Sequence, residues 1–347
     1  MGSVTGRVDG PKIAVVGAGS WGTAFGSIPA HKGIDTVLWA RRPELAGAIA
    51  ARHENPDYLA GIELPPSLLA THDLERCLAD ADVVVMAVPS HTFRATFRDL
   101  LPMLPPAAPV ISLAKGIEQE TNKRMSEVMD EEGGLGPERI AVVSGPNLAK
   151  EIARRQPAAT TLACAHRDIA LRLQELFMSP SFRVYTNPDV LGCEIGGCTK
   201  NVIAIAAGIA DGMGMGDNTK ASLMTRGLAE LARLGVAMGG NALTFAGLAG
   251  MGDLIATCMS KLSRNRHVGE ELGKGRKLAD VIAEMNMVAE GVKTAKPVVS
   301  LAERFGVDVP ISGVVCRVLY EDLSPADAVT DLMLRPPMAE LEGIVPA

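Results

Sequence analysis

Residues 12 to 24, KIAVVGAGSWGTA, put a run of β-branched residues directly before Gly17-Ala18-Gly19-Ser20-Trp21-Gly22. This strand, glycine turn and helix start constrain the fold more than any other segment. A G-x-G-x-x-G alone is a weak signal, because glycine turns are common; following an apolar strand and opening a helix, it marks the first unit of a dinucleotide-binding sheet. Gly17 makes the tight turn, Gly19 lets a pyrophosphate approach the backbone, and Gly22 lets helix and strand pack closely. The helix N-terminus then offers unpaired N–H groups and a positive dipole end, next to Ser20 and Trp21. Pro29 falls inside the predicted helix, where a proline ends or kinks it, so a shortened helix is expected.

The pattern that follows is α/β. DTVLWA reads as the second strand, and 82–90, 108–116, 139–147, 159–165 and 181–189 as later ones; their continuous Val/Ile runs indicate strands covered on both faces of a parallel sheet. After residue 190 the period becomes helical. GGCTKNVIAIAAGIADGM is apolar on most sides, as a helix buried among helices is. A second helix is capped by Asp217 or Asn218 and stopped by Gly239, and further helices are expected at 241–258, 263–272, 278–285, 292–305, 310–321 and 325–333. The fold class is an N-terminal Rossmann doubly wound sheet (12–190) with a C-terminal all-α domain (191–347), after a disordered lead-in of residues 1–11. A chain of 347 residues is long for one core, which agrees with two.

Composition excludes several classes. A net charge of −6 argues against a nucleic-acid partner. No apolar run reaches the roughly 18 residues of a membrane span, and the N-terminus has no secretory core, so the cytoplasm is the expected compartment. The six cysteines lack a C-x-x-C pair or a histidine partner set; they read as buried free thiols, and no metal site is expected.

Dinucleotide loops are usually answered at the end of the second strand by an Asp or Glu that holds a ribose hydroxyl. Here Arg41 and Arg42 stand there. Two such arginines are ordinarily solvated surface residues, but their place relative to the glycine loop suits a 2′-phosphate, so NADP(H) is preferred and NAD(H) possible. Lys115 lies at a strand end, where open α/β sheets bind ligands. Gly145 turns after a strand, and Asn147 is positioned to cap the next helix. Lys200 sits in a segment so apolar that it is buried if it faces inward, and burial moves a lysine pKa toward the range of an acid–base catalyst; otherwise it snorkels to the surface. Asp253 is either a plain cap or the carboxylate that orients a lysine. Ser263, Arg264 and Asn265 near a helix start suit a phosphate, whereas His267 reads as a surface residue.

Taken together, GAGSWGTA, AVPSH, AKGIE, SGPNLAKEIA, the block 181–214, TRGLAEL, GMGDLIATC, SRNRHVG, VAEGVKTA and VDVPI resemble, in order, the bacterial NAD(P)-dependent glycerol-3-phosphate dehydrogenases, from residue 12 to about 322. The resemblance implies NAD(P)H-dependent, reversible reduction of dihydroxyacetone phosphate to sn-glycerol 3-phosphate for glycerophospholipid synthesis, with a homodimer as the assembly. It makes Lys200 the acid–base residue and assigns substrate contacts to Lys115, Gly145, Asn147, Lys200, Asp253, Ser263, Arg264 and Asn265. Coenzyme contacts fall to Ser20, Trp21, Arg41, Arg42, Tyr58, Lys115, Ala149, Arg264, Val288 and Glu290, besides the loop glycines. Asn147 stands where the family commonly has Ser or Thr. The competing readings are another two-domain NADP-dependent hydroxy-acid dehydrogenase, which would not need phosphate donors at 263–265, and a non-catalytic nucleotide sensor, which would not need its reactive lysines.

Overall fold

The computed structural model describes residues 10–285, 287–337 and 339–340; most of the lead-in, residues 1–9, and the last seven residues lie outside them. Eight strands form one sheet: β1 (Lys12–Val16), β2 (Asp35–Trp39), β3 (Leu68–Thr71), β4 (Val83–Met86), β5 (Val110–Ser112), β6 (Ile140–Ser144), β7 (Ala158–Ala163) and β8 (Phe182–Asn187). Their spatial order is β3-β2-β1-β4-β5-β6-β7-β8. The first six are mutually parallel, and their C-terminal ends line up, with Val16 opposite Trp39 and Met86, and Met86 opposite Ser112. β7 pairs antiparallel with β6 and parallel with β8, so the expectation of an all-parallel sheet is corrected at its far edge. β3, at the other edge, is a strand that the sequence reading did not contain.

β1 and β4 are buried on both faces, and helices on the two sides close two separate apolar layers. A large side chain fully buried in this way contributes roughly 1.5–3 kcal/mol. The helix after the glycine loop, Ser20–His31, is not shortened by Pro29. The proline falls in the last turn, where its carbonyl accepts from the N–H groups of Lys32 and Ile34 and so ends the helix two residues later. Behind the loop, Phe25 stacks on Phe177 with ring centroids 4.4 Å apart.

The C-terminal half is helical. Val190–Gly212 is the central helix, held at its start by Asp189, whose carboxylate accepts from Gly192 N–H. It is long and apolar enough to cross a membrane, but 89% of its apolar window is buried inside the protein, which makes it a core helix. Arg264–Gly273 crosses it at backbone contact: a Cβ on Gly269 would stand 2.0 Å from Ile205 O. The helix Asp217–Ala237 is preceded by Gly216 as N-cap, so neither Asp217 nor Asn218 has the capping role expected, and Gly239, with φ +101°, turns the chain after it. The single helix expected over 241–258 is three pieces: Ala242–Ala246, a π turn at Leu248–Gly252, and Asp253–Met259. This break puts Asp253 at a helix start, where it projects toward the sheet.

Candidate active site

The C-terminal ends of the strands and the first turns of the helical domain enclose a cleft of about 610 Å³. Every site residue named from the sequence lines it except Gly22 and Gly145, which shape the loops behind it. Gly22 is excluded from any other identity by contact, since a Cβ there would stand 2.0 Å from Gly17 O.

The coenzyme arm is the glycine loop. A Cβ at Gly19 would meet nothing within 4 Å, so this backbone faces open space, and the buried Nε1 of Trp21 has no hydrogen-bond partner among the described residues. Room and unused donors beside a 12-residue helix N-terminus fit a dinucleotide pyrophosphate. Tyr58, Ala149 and Val288 border the same arm. Met287 also reaches it, where its sulfur accepts from Ser20 Oγ at 3.3 Å. Arg41 and Arg42 stand at its far end, both exposed. Arg42 is already paired with Asp57, whereas the Arg41 side chain makes no ion pair or hydrogen bond among the described residues. Glu290 spans the domains: its carboxylate accepts from Ser90 N–H at 3.2 Å and Ser90 Oγ at 2.6 Å.

The reactive arm centres on Asp253. Lys200 is buried, 5% exposed, and its Nζ donates to Asp253 Oδ1 at 2.9 Å and to Thr257 Oγ1 at 2.6 Å. Lys115 Nζ donates to the other oxygen, Oδ2, at 2.6 Å, and to Gly145 O at 2.7 Å. Thus the lysine facing inward in the apolar segment is partnered by the carboxylate after the two glycines. Burial alone would raise the Asp253 pKa, yet the two ammonium groups offset this and hold the carboxyl below its usual range. Burial pulls Lys115 down to about 8, against the attraction of Asp253 and with help from the repulsion of Lys200.

The polar wall beside them is an amide chain. Asn201 Nδ2 donates to Lys115 O at 3.0 Å, Asn265 Nδ2 donates to Asn201 Oδ1 at 2.8 Å, and Asn265 Oδ1 accepts from Gly291 N–H at 2.9 Å. These bonds fix the Asn265 amide and leave its second Nδ2–H available at the cleft wall. Ser263 is the N-cap of Arg264–Gly273, accepting from Arg266 N–H, while Arg264 is exposed toward the cleft and His267 faces solvent. Asn147 does not cap the next helix; Leu148 holds the N-cap position, and no side chain among the described residues caps that end. Instead the Asn147 Nδ2 donates to Thr160 Oγ1 at 2.9 Å, and its buried Oδ1 has no partner among the described residues.

Thr257, Asn201, Ser90 and Met287 escaped the sequence reading. Thr257 lies four residues after Asp253, one turn along the helix expected over 241–258, and that spacing is the signal that could have found it. Asn201 adjoins Lys200, and its signal was the polar pair inside an apolar run. Ser90 and Met287 have no local signal.

Comparisons with known proteins bear on the same residues. The family model for the NAD-dependent glycerol-3-phosphate dehydrogenase N-terminus matches residues 12–170, and that for the C-terminus matches 189–330. A glycerol-3-phosphate dehydrogenase [NAD(P)+] of Streptomyces coelicolor is 54% identical over 324 residues, covering 93% of this chain and 96% of its own. One from Thermobifida fusca is 53% identical over 334 residues, covering 96% and 99%. The crystal structure of a glycerol-3-phosphate dehydrogenase from Coxiella burnetii superposes with a TM-score of 0.90 at 36% identity, covering 94% of this chain and 99% of that one.

Proposed function

Because the chain belongs to the NAD-dependent glycerol-3-phosphate dehydrogenase family, we propose that Lys200 is the acid–base residue of its reaction and that Lys115 and Arg264 hold the substrate. The protein is an oxidoreductase that interconverts dihydroxyacetone phosphate and sn-glycerol 3-phosphate with NAD(P)(H). Residues 12–190 form the coenzyme unit and the helices from 191 onward the substrate unit.

The observation that carries the assignment of roles is the sharing of one buried carboxylate by two lysines from opposite walls of the cleft. When bound, the nicotinamide supplies a hydride to the ketone carbon. Negative charge then develops on the ketone oxygen, and Lys200, oriented by Asp253 Oδ1 and Thr257 Oγ1, gives that oxygen its proton. Lys115 adds a second positive charge beside it. Asp253 stays ionised and fixes both ammonium groups, as its lowered pKa requires. The substrate phosphate lies at the start of Arg264–Gly273, a 10-residue helix, on the Arg264 guanidinium and the free first-turn N–H groups of Arg264 and Asn265. Asn265 contributes its backbone N–H and the second hydrogen of Nδ2, the first being held by Asn201.

On the coenzyme side, Arg41 is the better placed of the two arginines for a 2′-phosphate, since Arg42 must first release Asp57. This favours NADP(H) over NAD(H). Ser20, Trp21, Tyr58, Ala149, Val288 and Glu290 complete the coenzyme contacts. All six cysteines are free and buried, which supports a reducing, cytoplasmic setting, with the product entering glycerophospholipid synthesis and a homodimer as the assembly. The test is direct: absorbance at the reduced-nicotinamide band should fall when dihydroxyacetone phosphate is added to protein and NADPH, faster than with NADH. No turnover with either coenzyme overturns the reading.

A further inference from the structure

A second cavity, of about 540 Å³, lies away from the cleft among the helices Val190–Gly212, Asp217–Ala237, Pro310–Tyr320 and Pro325–Met333. Its volume falls in the range of small-molecule sites, roughly 300–1,000 Å³. Most of its wall is aliphatic, Val315 and Leu332 included, and its charged members are Arg226, Glu230, Arg233 and Arg335.

These charges are unequally satisfied. Both oxygens of Glu230 are spent on the first turn of Pro310–Tyr320: one accepts from Ile311 N–H, the other from Ser312 N–H at 3.1 Å and Ser312 Oγ at 3.0 Å. Burial pushes this carboxyl up to about 7, against the pull of those donors, so near neutrality its negative charge is incomplete. Arg335 is paired with Asp308, and Arg226 donates to Glu340 O at 2.9 Å. Arg233 is left over. It is 8% exposed, and among the described residues its Nε and Nη1 have no partner and its Nη2 has only Asp308 O, at 3.5 Å. Among the described residues at this end, three guanidinium groups stand beside the carboxyl groups of Glu230 and Asp308, and Arg233 is the buried one, in the wall without an ion pair. A buried, charged donor without an acceptor is costly, so the site suits an anion that an aliphatic wall tolerates.

We infer that this cavity binds an amphipathic carboxylate, an unbranched aliphatic chain lying along the Val315–Leu332 side with its anionic head on Arg233. The chain buries apolar area that the cavity leaves uncovered, and the head accepts from the guanidinium in the paired geometry that arginine favours. The site is separate from the cleft, and its occupancy is independent of turnover.

The full chain, titrated calorimetrically with decanoate and with decan-1-ol, each below its solubility limit, tests this. Decanoate should bind one per chain and at least tenfold more tightly than the alcohol. Arg233→Met, which keeps length and apolar packing, should bring decanoate to the level of the alcohol, a loss of roughly tenfold to a hundredfold for a charge-assisted bond. Ser222→Trp, at an exposed position of the lining, should block both ligands without unfolding the protein. Equal binding of acid and alcohol, no binding of either, or decanoate binding unchanged by Ser222→Trp overturns the proposal. So does a sedimenting dimer that Ser222→Trp dissociates while decanoate fails to bind, which would assign the cavity to a second copy.

Discussion

Lys115 and Asp253 join the two domains through a 2.6 Å ion pair at the floor of the cleft. The carboxylate is 2% exposed and also neutralises Lys200. Removing one partner of a buried pair typically costs 3–5 kcal/mol, because the other charge is left without compensation. Asp253→Asn leaves two buried ammonium groups facing each other, so it should lower the melting temperature and turnover together. A variant that melts as the parent does would mean that solvent already screens the pair.

The same pair gives a pH dependence. The Lys115 ammonium loses its proton at about 8 in the folded protein, and at about 10.4 in an unfolded chain. Between these values the unfolded state binds more protons, so the Lys115 contribution makes the protein more stable as pH rises through that window. Substrate affinity moves the opposite way: above about pH 8 the cation facing the anionic substrate disappears, and the Michaelis constant for dihydroxyacetone phosphate should rise. Lys115→Arg, which stays charged, should flatten that rise. Its persistence in the variant would assign it to another group.

Coenzyme choice should follow the freer arginine. Arg41→Ala should raise the Michaelis constant for NADPH by a factor corresponding to about 1.5–3 kcal/mol, the range for hydrogen bonds to charged groups, and leave NADH nearly unchanged. Arg42→Ala should do less, because Asp57 competes for its guanidinium. Equal losses with both coenzymes would show that the pair does not read the 2′-phosphate.

How far these sites were legible follows from how local their signals are. The glycine loop, β1 and β4 stand out because a doubly covered strand is apolar throughout. β3 does not: its four residues include Leu69, 52% exposed on an edge. The reversal of β7 is invisible, since strand direction is set by the connection and not by the composition of the strand. The π turn at Leu248–Gly252 lies inside an apolar pattern that continues across it, so no period marks the break that presents Asp253. Lys115, Lys200 and Asp253 could each be singled out, but their convergence depends on tertiary packing between residues 138 and 53 positions apart. Asn147 looked like a helix cap for a sound local reason, and the nearby Thr160 hydroxyl took its amide instead.

Arg264 should discriminate the phosphate from the rest of the substrate. Arg264→Ala should weaken dihydroxyacetone phosphate by roughly tenfold to a hundredfold, the loss of a charge-assisted bond, while slow reduction of unphosphorylated dihydroxyacetone stays nearly constant. If both substrates lose equally, Arg264 serves the coenzyme or the cleft wall.

Lys200 is the sharpest test, because its neighbours separate chemistry from folding. Among the described residues its Nζ donates to the Asp253 carboxylate and the Thr257 hydroxyl alone, so replacing the ammonium leaves Asp253 still neutralised by Lys115. Lys200→Met keeps the chain length in an apolar helix and should fold and bind NADPH, as followed by melting and by fluorescence titration. Loss of a general acid costs roughly a hundredfold to ten-thousandfold in rate, and hydride transfer to an oxygen left without a proton donor should be slowed by that much. A Lys200→Met protein that melts normally and retains more than about a tenth of the parent turnover, against that expected loss, would remove Lys200 from the acid–base role and pass it to Lys115, the other cation on the same carboxylate.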